Sequence, residues 1–161
     1  MANNELTTKL QQGLRSGDLP VVQKLLEEHP HLTNQADERG FTPLIMAAYF
    51  NHLELVKLLV ETGADIDAVD GSGNTPLMGA VFKGYVEIAD YLIKNGASLH
   101  ISNYNGATVM TYAATYGKPE MIELLKAVKA DVNQKDNRGL SPLDHAKIQN
   151  NEAFLRAFGN A

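Results

Sequence analysis

The chain repeats itself every 33 residues. Phe41-Thr42-Pro43-Leu44-Ile45-Met46-Ala47-Ala48 returns as Asn74-Thr75-Pro76-Leu77-Met78-Gly79-Ala80-Val81. It returns again as Ala107-Thr108-Val109-Met110-Thr111-Tyr112-Ala113-Ala114, and last as Leu140-Ser141-Pro142-Leu143-Asp144-His145-Ala146-Lys147. A fixed period of this length excludes a single closed core and calls for stacked units, each touching only its neighbours.

The period divides the chain into one domain over residues 3–161 with five units. An N-terminal cap covers 3–36, internal repeats cover 37–69, 70–102 and 103–135, and a short C-terminal cap covers 136–161. Inside each unit the signals are local. Asp37-Glu38-Arg39-Gly40 and Asp70-Gly71-Ser72-Gly73 are turns, because Asp bonds its own backbone and Gly adopts conformations other residues resist. Thr42-Pro43 and Thr75-Pro76 then start a helix, an N-cap hydroxyl followed by a first-turn proline. Leu44, Ala47 and Ala48 form a buried face whose small residues let neighbouring helices approach.

Asn51-His52 and Lys83-Gly84 break that helix, and Asn tolerates the left-handed conformation better than most residues. Leu53–Val60 and Val86–Ile93 supply a second apolar helix, which Gly63 and Gly96 end. The first unit reads as a Leu6, Leu10, Leu14 stripe followed by a helix opening at Leu19-Pro20, and His29-Pro30-His31 ends it. The fourth unit departs twice: Val109 stands where proline is expected, and Lys129 where Gly63 and Gly96 stand. A left-handed lysine is strained by about 1–2 kcal/mol, so the loop at Ala127–Lys129 is expected to be loosened or reshaped.

These features resemble ankyrin repeats over residues 6–158, through turn, Thr-Pro-Leu helix start, small-residue helix, Gly or Asn break, Leu-rich helix and Gly-Ala exit. The resemblance implies an all-α solenoid of helix-turn-helix units with β-turn fingers. The family's Thr-Pro-Leu-His is altered here, with Ile45, Met78, Thr111 and Asp144 at the histidine position. The histidine's hydrogen bonds are expected to be lost and the apolar replacements to pack between repeats.

The chemistry of catalysis is missing from the sequence. There is no cysteine, so disulfides, thiolate metal sites and cysteine nucleophiles are excluded. His29 and His31 flank a proline without a carboxylate cluster and read as solvated loop residues. His52 and His100 read as makers of local hydrogen bonds. The recurring acids Asp65, Asp67, Asp70, Asp131 and Asp136 follow the turns and read as turn-bonding groups, with a cation site as the weaker alternative. Ser141 and His145 are at helical spacing, but Ser141 is already explained as an N-cap. Gly71-Ser72-Gly73 lacks the Lys-Ser/Thr of a phosphate loop. No catalytic residue, cofactor or metal is expected.

A net charge of −5 argues against a nucleic-acid binder. No apolar run approaches the ~20 residues of a membrane helix, and Met1–Thr8 has no signal-peptide pattern. The expected location is therefore cytoplasmic and the expected state a monomer. In ankyrin proteins the fingers and the exposed end of each first helix line the concave side. Carried onto this chain, those positions give Arg39, Phe41, Tyr49, Phe50, Phe82, Lys83, Tyr104, Tyr116 and Arg138 as the partner-binding surface. Six of the eleven aromatics fall there, which fits an interface because Tyr and Phe bury large area at low entropic cost. The expected function is binding of another protein without catalysis. A small-molecule or enzymatic pocket, or a scaffold without a partner, are the alternatives.

Overall fold

Three of the first helices start where a hydroxyl meets a proline. The computed structural model describes residues 2–160. In it the Thr42 Oγ1 accepts from the Ile45 N–H at 3.3 Å, and the Thr75 Oγ1 from the Met78 N–H at 3.2 Å. Pro43, Pro76 and Pro142 occupy the first helical position, where a missing N–H costs nothing. Val109 starts its helix equally well. There the Thr111 Oγ1 reaches back to accept from the Thr108 N–H at 3.0 Å.

Ten α-helices result among the described residues. They are α1 (Ala2–Ser16), α2 (Leu19–Glu28), α3 (Pro43–Tyr49), α4 (Leu53–Glu61), α5 (Pro76–Lys83), α6 (Val86–Lys94), α7 (Val109–Tyr116), α8 (Pro119–Lys126), α9 (Pro142–Ile148) and α10 (Glu152–Phe158). A 3-10 turn over Pro30–Asn34 follows α2. It is the feature of the first unit that the sequence pattern does not announce. Its Asn34 side chain donates to the Gly63 carbonyl and accepts from the Asp65 N–H at 2.8 Å, so it ties the first unit to the second.

Within units α1 packs on α2, α3 on α4, α5 on α6 and α9 on α10, and the units stack on one another. First helices form one layer, α1 on α3 on α5 on α7 on α9, and second helices form another, α2 on α4 on α6 on α8 on α10. The core lies between the layers. Leu44, Ala47, Leu77, Ala80, Ala113 and Ala114 come from the first helices; Leu55, Val56, Ile88, Ala89, Met121 and Leu125 come from the second, all essentially without solvent contact. No unit could bury this stripe alone.

The break between paired helices uses a left-handed residue at Gly17, Asn51, Gly84 and Asn150. Gly117 departs, with φ −64°, because Pro119 forces the preceding Lys118 into an extended conformation and the turn opens with it. Lys129 departs as expected. Gly63 and Gly96 sit at φ +93° and +92°, whereas no residue from Ala127 to Ala130 has a positive φ. The loop there closes instead through Val128 N–H to Leu125 O and Ala130 N–H to Val128 O.

Between units the chain makes four tight fingers. In each, the first residue's N–H donates to the carbonyl four residues on: Asp37 to Phe41, Asp70 to Asn74, Asn103 to Ala107 and Asp136 to Leu140, at 2.9–3.0 Å. The same residue's side-chain Oδ1 accepts two further backbone N–H groups. Adjacent fingers are tied by the Gly71 N–H to Arg39 O, Tyr104 N–H to Ser72 O and Asn137 N–H to Asn105 O. Gly40 is required at this contact: φ is +80° and a Cβ would lie 2.7 Å from the Gly71 nitrogen.

Three expectations need correction. His52 does not bond locally; its Nε2 lies 2.9 Å from the Arg15 carbonyl and links two units. The hydrogen bonds expected to vanish with the family histidine are kept in two repeats, by Thr111 and by Asp144, which accepts from the Ser141 N–H at 2.9 Å. Ile45 and Met78 do pack as apolar replacements. Phe41, expected at the surface, is half-buried against the core.

Candidate functional site

The ends of α3, α5 and α7 and the fingers beside them place a row of aromatic side chains on one face. Tyr49, Phe50, Phe82, Tyr104 and Tyr116 are between 38% and 68% exposed, the largest being Tyr104. Phe41 was expected to share this exposure but is half-buried, because its ring packs against the core under the Arg39 guanidinium, 4.7 Å from the ring centroid. Cations also reach the helix ends, where the Lys83 ammonium lies 4.7 Å over Tyr49.

The row is two clusters. Tyr49 meets Phe50 edge-on at 5.4 Å. Phe82 meets Tyr116 edge-on at 5.0 Å and Tyr112 at 6.0 Å, while Tyr112 and Tyr116 stack at 6.3 Å. Tyr104 lies on a finger with its ring over Gly73, where a Cβ would come within 2.9 Å. Arg138 lies on the last finger, exposed, with its Nε 4.0 Å from Asp136.

Tyr112 was not anticipated. Its hydroxyl donates to Asn74 Oδ1 at 2.9 Å and accepts from Asn103 Nδ2 at 3.2 Å, so it joins two fingers to α7. Burial pushes the phenol up from its ordinary range, with the Asp70 carboxylate adding to the rise. The signal was present in the sequence as a broken period: Met46, Gly79, Tyr112 and His145 share one repeat position and four chemistries.

Between the two clusters lies a pocket of 210 Å³, walled by Phe41, Tyr49, Phe82 and Tyr112, with Gly79 at its base and Asp70 at its finger side. Of the expected surface residues, Phe41, Tyr49 and Phe82 line this pocket directly. Arg39, Phe50, Lys83 and Tyr116 touch its walls from outside. A second hollow of 420 Å³ lies along the stack, where Tyr116 and Arg138 meet His145.

His145 is buried, and its Nε2 lies 2.7 Å from Asp136 Oδ2. Burial works to raise the Asp136 carboxyl, but the His145 hydrogen bond and the Leu140 and Arg138 N–H groups outweigh it and hold it below the ordinary value. Ser141 is spent on the cap: its hydroxyl donates to Asp144 Oδ2 and accepts from the Asp144 N–H. Among the described residues no three of His, Asp and Glu gather as a metal-ligand set, and no helix is long and apolar enough to cross a membrane.

Stacked helix-turn-helix units at a 33-residue period, with turn fingers set beside the first helices, define a class of repeat solenoid. The family described as "Ankyrin repeats (3 copies)" matches residues 10–103, more than half the chain, and "Ankyrin repeats (many copies)" matches residues 92–146. The chain belongs to the ankyrin-repeat family. Similar proteins include the palmitoyltransferase akr1 of Emericella nidulans, 41% identical over 37% of this chain and 8% of its own length. The ankyrin repeat and SAM domain-containing protein 6 of Rattus norvegicus is 36% identical over 41% of this chain and 8% of its own. The DNA-binding protein RFXANK of Homo sapiens is 47% identical over 30% of this chain and 19% of its own. The aligned stretches thus span at most a fifth of these relatives' lengths. Ankyrin repeats generally mediate contacts between proteins.

Proposed function

We propose that this chain is a non-enzymatic interaction module that binds another protein across its concave face and fingers. The observation that carries the reading is the row of exposed aromatics, Tyr49, Phe50, Phe82, Tyr104 and Tyr116, continuous with the pocket between them. Together with Arg39, Phe41, Lys83 and Arg138 they form the contact surface. Aromatic and arginine side chains are the residues that dominate binding energy at protein interfaces. The unit organises as one domain over residues 3–161, acting as a cytoplasmic monomer that needs neither nucleic acid, membrane nor cofactor. A net charge of −5 supports a protein partner over nucleic acid.

Affinity capture from the source organism, read by mass spectrometry, supplies the partner. Replacing Phe50, Phe82 and Tyr116 together by Ala then tests the surface. The expected loss is at least about 100-fold in affinity, since interface anchors contribute roughly 2 kcal/mol or more each on truncation. Helical content should be unchanged, because all three side chains stand outside the core. Unaltered affinity in the triple variant rejects the surface.

A further inference from the structure

The pocket at Gly79 is the space left where other repeats place a side chain against a finger. In the fifth unit that side chain is His145, and it meets Asp136 Oδ2 at 2.7 Å. In the third unit the equivalent pair is Asp70 and Gly79, so the carboxylate is present and its partner is not. Asp70 Oδ1 accepts from the Ser72 and Asn74 N–H groups at 2.8 and 3.0 Å, but Oδ2 has no hydrogen-bond or ion-pair partner among the described residues. The carboxylates at the equivalent first position of the other fingers are matched by cations as well: the Arg39 guanidinium lies 3.6 Å from Asp37, and the Arg138 Nε 4.0 Å from Asp136. The corresponding residue beside Asp70 is Ser72, and at Asn103 the charge itself is absent. Among the described residues, Asp70 is therefore the one carboxylate at the first finger position that has no cation partner, and it lines an open pocket.

Gly79 is not kept for packing. It lies inside α5 at an ordinary φ, and no atom comes within 4 Å of where its Cβ would stand. A glycine inside a helix weakens it, so the missing side chain serves the cavity and not the stack. The walls around that cavity are four aromatic rings, whose faces attract cations. The protein already uses this attraction twice next door, with Arg39 over Phe41 and Lys83 over Tyr49. At 210 Å³ the pocket is smaller than the roughly 300–1,000 Å³ that small-molecule sites occupy, and suits a single side chain.

We propose that this pocket receives an arginine side chain of the protein partner, with its guanidinium on the free Asp70 oxygen and its plane against the aromatic walls. The inference rests on the reading of this face as a protein interface and names the chemistry of the anchor. Arginine is favoured over lysine because a planar, weakly hydrated guanidinium stacks on rings while its edge donates to a carboxylate, whereas an ammonium is a compact and strongly hydrated charge.

The test is a titration of 15N-labelled protein with N-acetyl-arginine methylamide, followed by amide NMR shifts, with the lysine and norleucine counterparts alongside. The arginine probe should move the Asp70, Gly79 and Phe82 amides saturably and bind at least about tenfold more tightly than either counterpart. Asp70→Asn should weaken it at least about tenfold with the finger intact, because Asn103 already holds the next finger through the same two Oδ1 bonds. Gly79→Leu, which fills the cavity, should abolish the shifts while circular dichroism keeps its helical signal. Norleucine binding as tightly as arginine, or an unchanged titration in Gly79→Leu, would overturn the proposal, and lysine binding equally well would overturn the choice of arginine. Loss of partner capture in the aromatic triple variant without any arginine titration would remove this inference and leave the interface standing. Saturable arginine binding with undiminished capture in that variant would support the pocket and remove the wider aromatic surface.

Discussion

Replacing Gly79 by Ala should make the protein more stable. Thirteen glycines occur in the chain, and most are held by their conformation or their neighbours. Gly63, Gly84, Gly96 and Gly139 have room for a Cβ but lie at positive φ, where a side chain is strained. Gly13, Gly71, Gly117 and Gly159 have no positive φ but would place a Cβ within 2.9 Å of another atom. Gly79 alone has both an ordinary φ and open space. It is the fourth residue of α5, with its N–H bonded to the Thr75 carbonyl at 3.2 Å. The helix-propensity difference between Gly and Ala, about 0.8–1.0 kcal/mol, should therefore appear almost undiluted as added stability. The methyl meets nothing within 4 Å, so neither packing gain nor clash modifies it. Urea unfolding followed by far-UV circular dichroism measures it, as a higher midpoint at constant slope. A neutral or destabilising Gly79→Ala would refute the claim that this glycine is dispensable to the fold.

His145→Ala should cost about 2–3 kcal/mol at pH 7, because it removes a 2.7 Å hydrogen bond to a carboxylate whose side chain is 6% exposed. The Asp136 carboxyl is held below its ordinary 3.8, so its contribution is complete above that value and lost as pH falls through the lowered one. Urea midpoints of parent and His145→Ala should thus converge only as pH falls below the ordinary carboxylate value, and a difference that persists undiminished through full protonation of the carboxylates would contradict the assignment. Lys129→Gly should change stability by less than about 0.5 kcal/mol, because the loop has already left the left-handed conformation. A thermal or urea shift equivalent to a gain above about 1 kcal/mol would mean that Lys129 is strained after all.

The framework was readable from sequence because its causes are local. Thr42 caps a nitrogen three residues away, Asp37 bonds nitrogens two and four residues away, and Gly63 and Asn51 supply a backbone conformation by themselves. Such features depend on nothing outside their own turn. The site was readable only in outline. Repeat position identified Tyr49, Phe82 and Tyr116 as outward-facing, but the pairing of Tyr112 with Asn74 spans 38 residues and depends on how α7 sits against the preceding finger. The His52 bond to Arg15 spans 37 residues for the same reason, and a histidine at a helix break gives no local sign of it. Phe41 shows the converse: its position is on a finger, yet its ring packs against the core with the Arg39 guanidinium over it.

What distinguishes the site from the scaffold is that it belongs to no single repeat. Phe41 and Tyr49 come from the second unit, Asp70, Gly79 and Phe82 from the third, and Tyr112 from the fourth. At the position shared by Met46, Gly79, Tyr112 and His145, the phenol and the imidazole bond finger residues, and the stack tolerates a thioether, a phenol or an imidazole there. The stack therefore does not dictate this position, and variation is free to be used. An empty position between two filled ones becomes a cavity only when the neighbours are stacked in register, since the walls arrive from either side. The pocket's shape is thereby coupled to repeat stacking: whatever holds the third unit between the second and the fourth also builds the pocket.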